Sequence, residues 1–368
     1  MKLDSFLERI PKIELHCHLL GTLRPGTCAE LTKRSGIKLP ADVHVMFERF
    51  NRLVKLDSRY AHTRVPLAEP SPEESAQTWY RVLDVVDAVG PALTKREDFA
   101  RLMYEGLEDA VRDSNVRYCE MFFEGMVFLA NGVPYPTVVD GLIEGARSAE
   151  RDFGVQSRLI GGINRSQSPA AAMELVDQML AHPRDEVIGI GLEHTETLGP
   201  PENFAAVYQK AKKGGLHRTA HSGEHDPSAR NIVTCLDVLE CERIDHGYFV
   251  LEDPAVVARC RDDGVFFTCM STTALRAWRP WRRRSIQLMV EQGLRIVLGA
   301  DDPTMFPNSL TSEFRIAATE LGFGIDKLVE ICLNGVEASW MDEGEKRQRR
   351  REFESEIATL RAQLESVD

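Results

Sequence analysis

Short apolar, β-prone runs recur along the chain at Ile13–His16, Val116–Phe123, Ser157–Ile163, Val187–Leu192, His217–His221, Arg243–His246, Val265–Cys269 and Arg295–Gly299. Most are separated by stretches whose apolar positions follow a helical period: Pro136–Asp152, Ala170–Ala181, Pro201–Lys213, Asn231–Leu239 and Asp253–Arg261. Strands that alternate with helices predict a parallel sheet, and eight of them is the number that closes a (β/α)₈ (TIM) barrel. The competing α/β architecture, an open doubly wound sheet, lacks support because no glycine-rich dinucleotide fingerprint follows an early strand.

Two segments break the rhythm. From Leu23 to about Phe99 the chain makes a long excursion that includes "VHVMFERFNRLVKL" and the proline-marked "HTRVPLAEPSPEES". After the first strand, such an insertion is expected to form a helical lid over the barrel mouth. From Asp342 onward the sequence reads as one charged amphipathic helix, expected to pack on the barrel or on another subunit. The expected organisation is a barrel domain over residues 1–340, with its lid at about 23–99, and a helical tail over 341–368.

The 368 residues suffice for one such barrel, and 43% hydrophobic with 28% charged residues is ordinary for a soluble globular protein. A net charge of −12 repels phosphate backbones and argues against a nucleic-acid partner. The eight cysteines include no CxxC pair and lie mostly in apolar surroundings, as expected for reduced thiols in a cytoplasm. The N-terminal "MKLDSFLERIPK" carries acids within its apolar stretch and does not read as a signal peptide. No apolar run has the length of a membrane span, so no membrane association is expected.

Candidate chemistry collects at predicted strand ends. His16 and His18 are two apart on the first strand and therefore share a face. His221 ends the fifth strand, with Glu224 in the loop beyond; His246 ends the sixth; Asp301 and Asp302 follow the eighth. Each has an ordinary structural explanation by itself, but barrel active sites gather at C-terminal strand ends, and all of these positions lie there. Imidazoles with one carboxylate suit Zn²⁺ and leave a position for water, whose pKa falls toward neutrality on a divalent metal. Glu224 and His246 are then available to donate a proton and to orient the nucleophile.

The motifs "PKIELHCHLLGTLRP", "IGIGLEHTETLGPPENFAAVY", "AHSGE", "RIDHG" and "GADDP" together resemble the adenosine/adenine deaminase family of the amidohydrolase superfamily, in the family's order across residues 11 to about 307. The resemblance implies a zinc-dependent (β/α)₈ barrel with one Zn²⁺ per chain. Its reaction is hydrolysis of the 6-amino group of a purine by hydroxide held at the metal, with release of ammonia. Matched motif by motif, His16, His18, His221 and Asp301 would hold the zinc. Glu224 would protonate N1, His246 would orient the attacking oxygen at C6, and Asp302 would bond N7. Gly191 lies in the segment whose backbone contacts the purine. "CEMFFEG" is closer to the adenine-deaminase branch, as is "RIDHG"; the resemblance puts its Glu120, and Phe122 where the nucleoside enzymes carry arginine, among the residues expected to line the substrate pocket.

Three departures fall around the substrate rather than on the chemistry. Leu20 stands where the family carries an acid that contacts the substrate. Cys269-Met270-Ser271 replaces a Cys-Pro-x-Ser pattern, and "RAWRPWRRRS", with Trp278, Trp281 and Arg282–284, either lines a pocket or forms a surface loop. A leucine beside the substrate removes a hydrogen-bond partner, so poor turnover of adenosine is expected. The alternatives are deamination of another amino-heterocycle, an N6-substituted adenine or 6-aminodeoxyfutalosine, and a catalytically silent purine-binding homologue. The sequence leaves the oligomeric state open.

Overall fold

The structure is a computed structural model that describes residues 1–39, 42–47, 88–272 and 281–364. Eight strands run in the order β1 to β8 around one sheet, each parallel to the next. They are β1 (Lys12–His18), β2 (Val116–Phe123), β3 (Gln156–Asn164), β4 (Val187–Glu193), β5 (His217–Ser222), β6 (Ile244–His246), β7 (Phe266–Cys269) and β8 (Arg295–Leu298). Nearly every strand residue is buried, as a parallel sheet covered by helices on one side and closed on the other requires. This is the barrel that the alternating pattern predicts.

The seam between β1 and β8 is closed by a bridge rather than a ladder. Cys17 pairs with Asp301, with Asp301 N–H donating to His16 O at 2.9 Å and His18 N–H to Asp301 O at 2.8 Å. Glu14 completes it, accepting His16 N–H through Oε1 at 2.8 Å and Ala300 N–H through Oε2 at 3.0 Å. The seam therefore fixes Asp301 against the strand that carries His16 and His18.

The helices of the described residues are α1 (Leu3–Arg9), α2 (Pro25–Arg34), α3 (Arg96–Ser114), α4 (Gly125–Ala130), α5 (Tyr135–Phe153), α6 (Pro169–Ala181), α7 (Ala205–Lys213), α8 (Arg230–Asp237), α9 (Pro254–Asp262), α10 (Trp281–Glu291), α11 (Leu310–Thr319), α12 (Ile325–Ala338) and α13 (Glu343–Arg361). Their starts follow local chemistry. Ser168 caps α6 by accepting Ala171 N–H, and Asp253 caps α9 by accepting Ala255 and Val256 N–H, each just before a proline at the first helical position. The amphipathic stretch from Pro201 begins as a 3₁₀ turn (Pro201–Phe204) and becomes α-helical only at Ala205. The tail helix α13 starts from an Asp342–Glu345 capping box and buries Phe353, Ile357 and Leu360. It packs on α12 and α1 of its own chain.

Of the expected lid, the structure describes residues 23–39, 42–47 and 88–99, which hold α2, a short helical segment at 43–47, the turn Gly90–Ala92 and the start of α3; residues 40–41 and 48–87, with "HTRVPLAEPSPEES", lie outside the described residues. Trp278 and the side chains of Trp281 and Arg282 lie outside them too. Arg283 is buried, donating to Ser271 O at 3.1 Å and pairing with Glu320, while Arg284 bonds Gln287 and Glu291 on its own helix. The turn after β7 is set by Glu313, which accepts the N–H groups of Ser271 (2.5 Å) and Thr272 (3.1 Å). No helix among the described residues is long and apolar enough to cross a membrane.

Candidate functional site

His16, His221, His246 and Asp301 bring one ligand atom each to within 4.8 Å of one another, all four buried. They come from the C-terminal ends of β1, β5 and β6 and from the turn after β8. His18 joins them from the same face of β1, with Nε2 3.1 Å from His221 Nε2 and 3.4 Å from Asp301 Oδ1. His16 Nε2 also lies 3.4 Å from Asp301 Oδ1 and makes no well-formed hydrogen bond. Two imidazole nitrogens thus crowd one carboxylate oxygen and a third, from His221, stands against His18, an arrangement that has electrostatic sense around a cation.

Two of these residues hold a left-handed backbone, His246 at φ 68° and Asp301 at φ 62°. The cost is roughly 1–2 kcal/mol for a non-glycine residue. At His246 the reason is visible: strict strand alternation would turn either Asp245 or His246 outward. With the kink, both face the interior; Asp245 Oδ2 is 3.5 Å from His221 Nδ1, and the His246 ring lies 4.9 Å from that of His221.

Asp245 is the centre of a second layer that sequence reasoning missed. Its Oδ1 accepts the Thr268 hydroxyl at 2.8 Å and its Oδ2 accepts the Thr219 hydroxyl at 2.8 Å. With its proton committed to Asp245, Thr268 Oγ1 accepts from His16 Nδ1 at 2.8 Å, so His16 presents an unprotonated Nε2 to the centre. The only signal in the sequence is the aspartate within "RIDHG", whose role depends on partners from β5 and β7.

Burial opposes the charge on Asp245, but the neighbouring His221 and His16 outweigh it and hold the carboxyl far below the usual range. Asp301 is likewise lowered, its burial outweighed by the nearby imidazoles of His16 and His18. Burial pushes His16 down and His246 well down, which favours the uncharged form of each ring. At His18 burial also opposes charge, yet the Glu193 carboxylate (Oε2 3.2 Å from Nδ1) and the charge of Asp302 push it well up.

Glu224 Oε2 stands 3.5 Å from His246 Nε2 and 3.0 Å from His225 Nδ1. Asp302 is buried beside Gly21, where any Cβ would come within 2.2 Å of Asp302 Oδ1; only glycine permits that approach. Phe122 is buried under the histidines, its ring stacked on His18 with centroids 5.0 Å apart. Gly191 makes room for it, since a Cβ there would lie 2.3 Å from Phe122 Cε1.

Glu120 is not brought to this group. Its carboxylate is fully buried and engaged by Arg243 at 2.5 Å, Trp340 N–H at 2.5 Å and the Tyr118 hydroxyl at 3.1 Å. Leu20 is buried in the 3₁₀ turn after β1, and its N–H donates to Glu124 Oε1 at 3.3 Å. Glu124 Oε2 is buried with no hydrogen-bond partner among the described residues, and burial with the nearby Glu193 charge pushes this carboxyl up to about 8.

The adenosine deaminase family model matches residues 11–356. An adenine deaminase of Vibrio parahaemolyticus is 29% identical over 358 residues, covering 97% of this chain and 98% of that protein. One of Albidiferax ferrireducens is 31% identical, covering 94% of each. Among solved structures, an amidohydrolase of Burkholderia ambifaria with bound zinc superposes with a TM-score of 0.85 at 33% identity, covering 98% of this chain and 93% of that one. The adenine deaminase of Arthrobacter aurescens superposes with a TM-score of 0.80 at 30% identity, covering 95% and 98%.

Proposed function

The chain belongs to the adenosine deaminase family, and from that premise we propose that it is a zinc-dependent hydrolytic deaminase of a 6-aminopurine, adenine-like rather than adenosine. The observation that carries this reading is the convergence of His16, His221, His246 and Asp301 within 4.8 Å at the barrel mouth. The donor set fits zinc. Tetrahedral ligands at about 2.0–2.1 Å from zinc stand roughly 3.3 Å apart, against 3.1, 3.4 and 3.4 Å among His18, His221, His16 and Asp301. We assign those four as the ligands of one ion and keep His246 for the nucleophile. When bound, zinc supplies Lewis acidity and a water deprotonated near neutrality.

The chain's own residues do the rest. Glu224 gives a proton to N1, which makes C6 electrophilic, and His246, neutral and 3.5 Å from Glu224, orients the incoming oxygen. Asp302 bonds N7 and fixes the ring in its plane. A C6–O bond forms and the C6–N bond breaks; of the two water protons, one replaces the proton given by Glu224 and the other leaves with ammonia. Residues 1–340 form the catalytic barrel in this reading, and 341–368 its tail.

Leu20 supports the choice of substrate. It offers no side-chain acceptor, and its N–H is already engaged by Glu124. The test is ammonia release from adenine, adenosine, N6-substituted adenines and other amino-heterocycles, with metal content measured in parallel. We expect stoichiometric zinc and a kcat/KM for adenine well above that for adenosine. Efficient turnover of adenosine overturns the substrate assignment, and a chain that binds no metal overturns the mechanism.

A further inference from the structure

Glu196 lies in the 3₁₀ turn Glu196–Leu198 after β4, and its side chain is buried. Its Oε1 accepts Gly223 N–H at 2.9 Å, Asn231 Nδ2 at 3.0 Å and the Ser222 hydroxyl at 3.4 Å. Its Oε2 accepts the N–H groups of Glu224 (2.9 Å), His225 (2.9 Å) and Asp226 (3.2 Å). Four consecutive backbone amides of the loop that carries Glu224 therefore close around one carboxylate. Successive N–H groups turned inward make an anion-binding concavity, and here the anion belongs to the chain itself.

A carboxylate offers about four lone-pair sites. The six donors on Glu196 occupy all of them, so it can neither ligate a metal nor exchange a proton with substrate. What it can do is fix the backbone from which the Glu224 side chain departs. Glu224 must meet both N1 and His246, and a displacement of about 1 Å in such a group can cost on the order of 10²-fold in rate.

We infer that Glu196 is the positioning residue of the proton donor: its carboxylate is the template on which residues 223–226 fold into the conformation that aims Glu224. The inference rests on the reading of Glu224 as that donor. It also explains the length of "HTETLGPPENF": the turn after β4 must reach across to the loop after β5.

Two measurements test it. The first needs no turnover. In zinc-loaded Glu196→Gln, one acceptor oxygen becomes an N–H donor facing amides, and hydrogen exchange at residues 223–226 should accelerate at least tenfold. Amides of β1 and β8 should keep their protection, and zinc should stay stoichiometric. The second is a kcat cycle with adenine. Glu196→Gln should lose about 10²-fold in kcat with KM within threefold, and Glu196→Asp should recover part of that loss. In a Glu224→Gln background, Glu196→Gln should change the residual rate less than threefold, because the donor it aims is already gone. Unchanged exchange at 223–226, or losses that multiply in the double variant, overturns the inference. If Glu196→Gln does not fold, Glu196→Asp carries both measurements. If the wild-type enzyme releases no ammonia from any aminopurine, or Glu224→Gln keeps full kcat, the reading of the reaction fails, while the exchange measurement still decides the template.

Discussion

At the scale of the residue, the site is decided by which atom each histidine presents. An imidazole ligates only through an unprotonated nitrogen, so something must hold the proton on the other one. For His16 that is Thr268, itself fixed by Asp245. An Asp245→Asn variant keeps the shape but reverses one hydrogen bond and removes the charge behind two candidate ligands. We expect a 10–100-fold loss of zinc affinity, measured by competition with a chromophoric chelator. Zinc affinity within twofold of wild type would show that the tautomer of His16 is set elsewhere.

At the scale of the element, strands deliver ligands and turns finish the job. The β1–β8 seam has a single bridge, and the residue in it is Asp301, so the barrel closes through its own candidate metal ligand. The tail helix α13 illustrates an element outside this work: Asp342 accepts Gly344 N–H at 2.7 Å and Glu345 N–H at 2.9 Å. Asp342→Ala should lower stability by about 1 kcal/mol, read as a shift in the urea midpoint. Its kcat should stay at the wild-type value, since α13 packs on α12 and α1 and bonds Arg117 and Gln156 at the N-terminal ends of β2 and β3, opposite the candidate site.

At the scale of the whole molecule, a bound cation should hold the cluster of imidazoles and carboxylates together more firmly than the residues hold one another. Chelation should lower Tm and abolish turnover, and zinc should restore both. A ligand present at 100 times its Kd contributes about 2.7 kcal/mol. At the opposite end of the barrel Lys12 is buried, its ammonium donating to Leu7 O (2.5 Å), Ile10 O (3.0 Å) and Ser114 O (3.1 Å). Burial pushes it from 10.5 down to about 7. Between those values the unfolded chain holds a proton that the folded chain has released, so this term favours folding as pH rises and is lost as pH falls through about 7. The stability of wild type relative to Lys12→Met should therefore grow from pH 7 to pH 10, by on the order of a few kcal/mol. A difference that stays flat over that range would mean that the three carbonyls keep Lys12 charged.

The sequence by itself determined the order and type of the elements. Mostly apolar, β-prone runs such as Val116–Phe123 read as strands buried on both faces, and Ser168-Pro169 and Asp253-Pro254 start helices by local chemistry. It also placed His16, His18, His221, Glu224, His246, Asp301 and Asp302 at strand ends, because position in an alternating pattern is a local property. Tertiary structure alone decided what those residues meet. Glu120, read as lining the substrate pocket, is held instead by Arg243 and Trp340, which lie far along the chain. Asp245 and Glu196 escaped notice because their partners come from other strands and loops. Hydrogen bonds between residues remote in sequence leave no periodicity, and a left-handed kink such as that at His246 overrides the alternation from which facing is read.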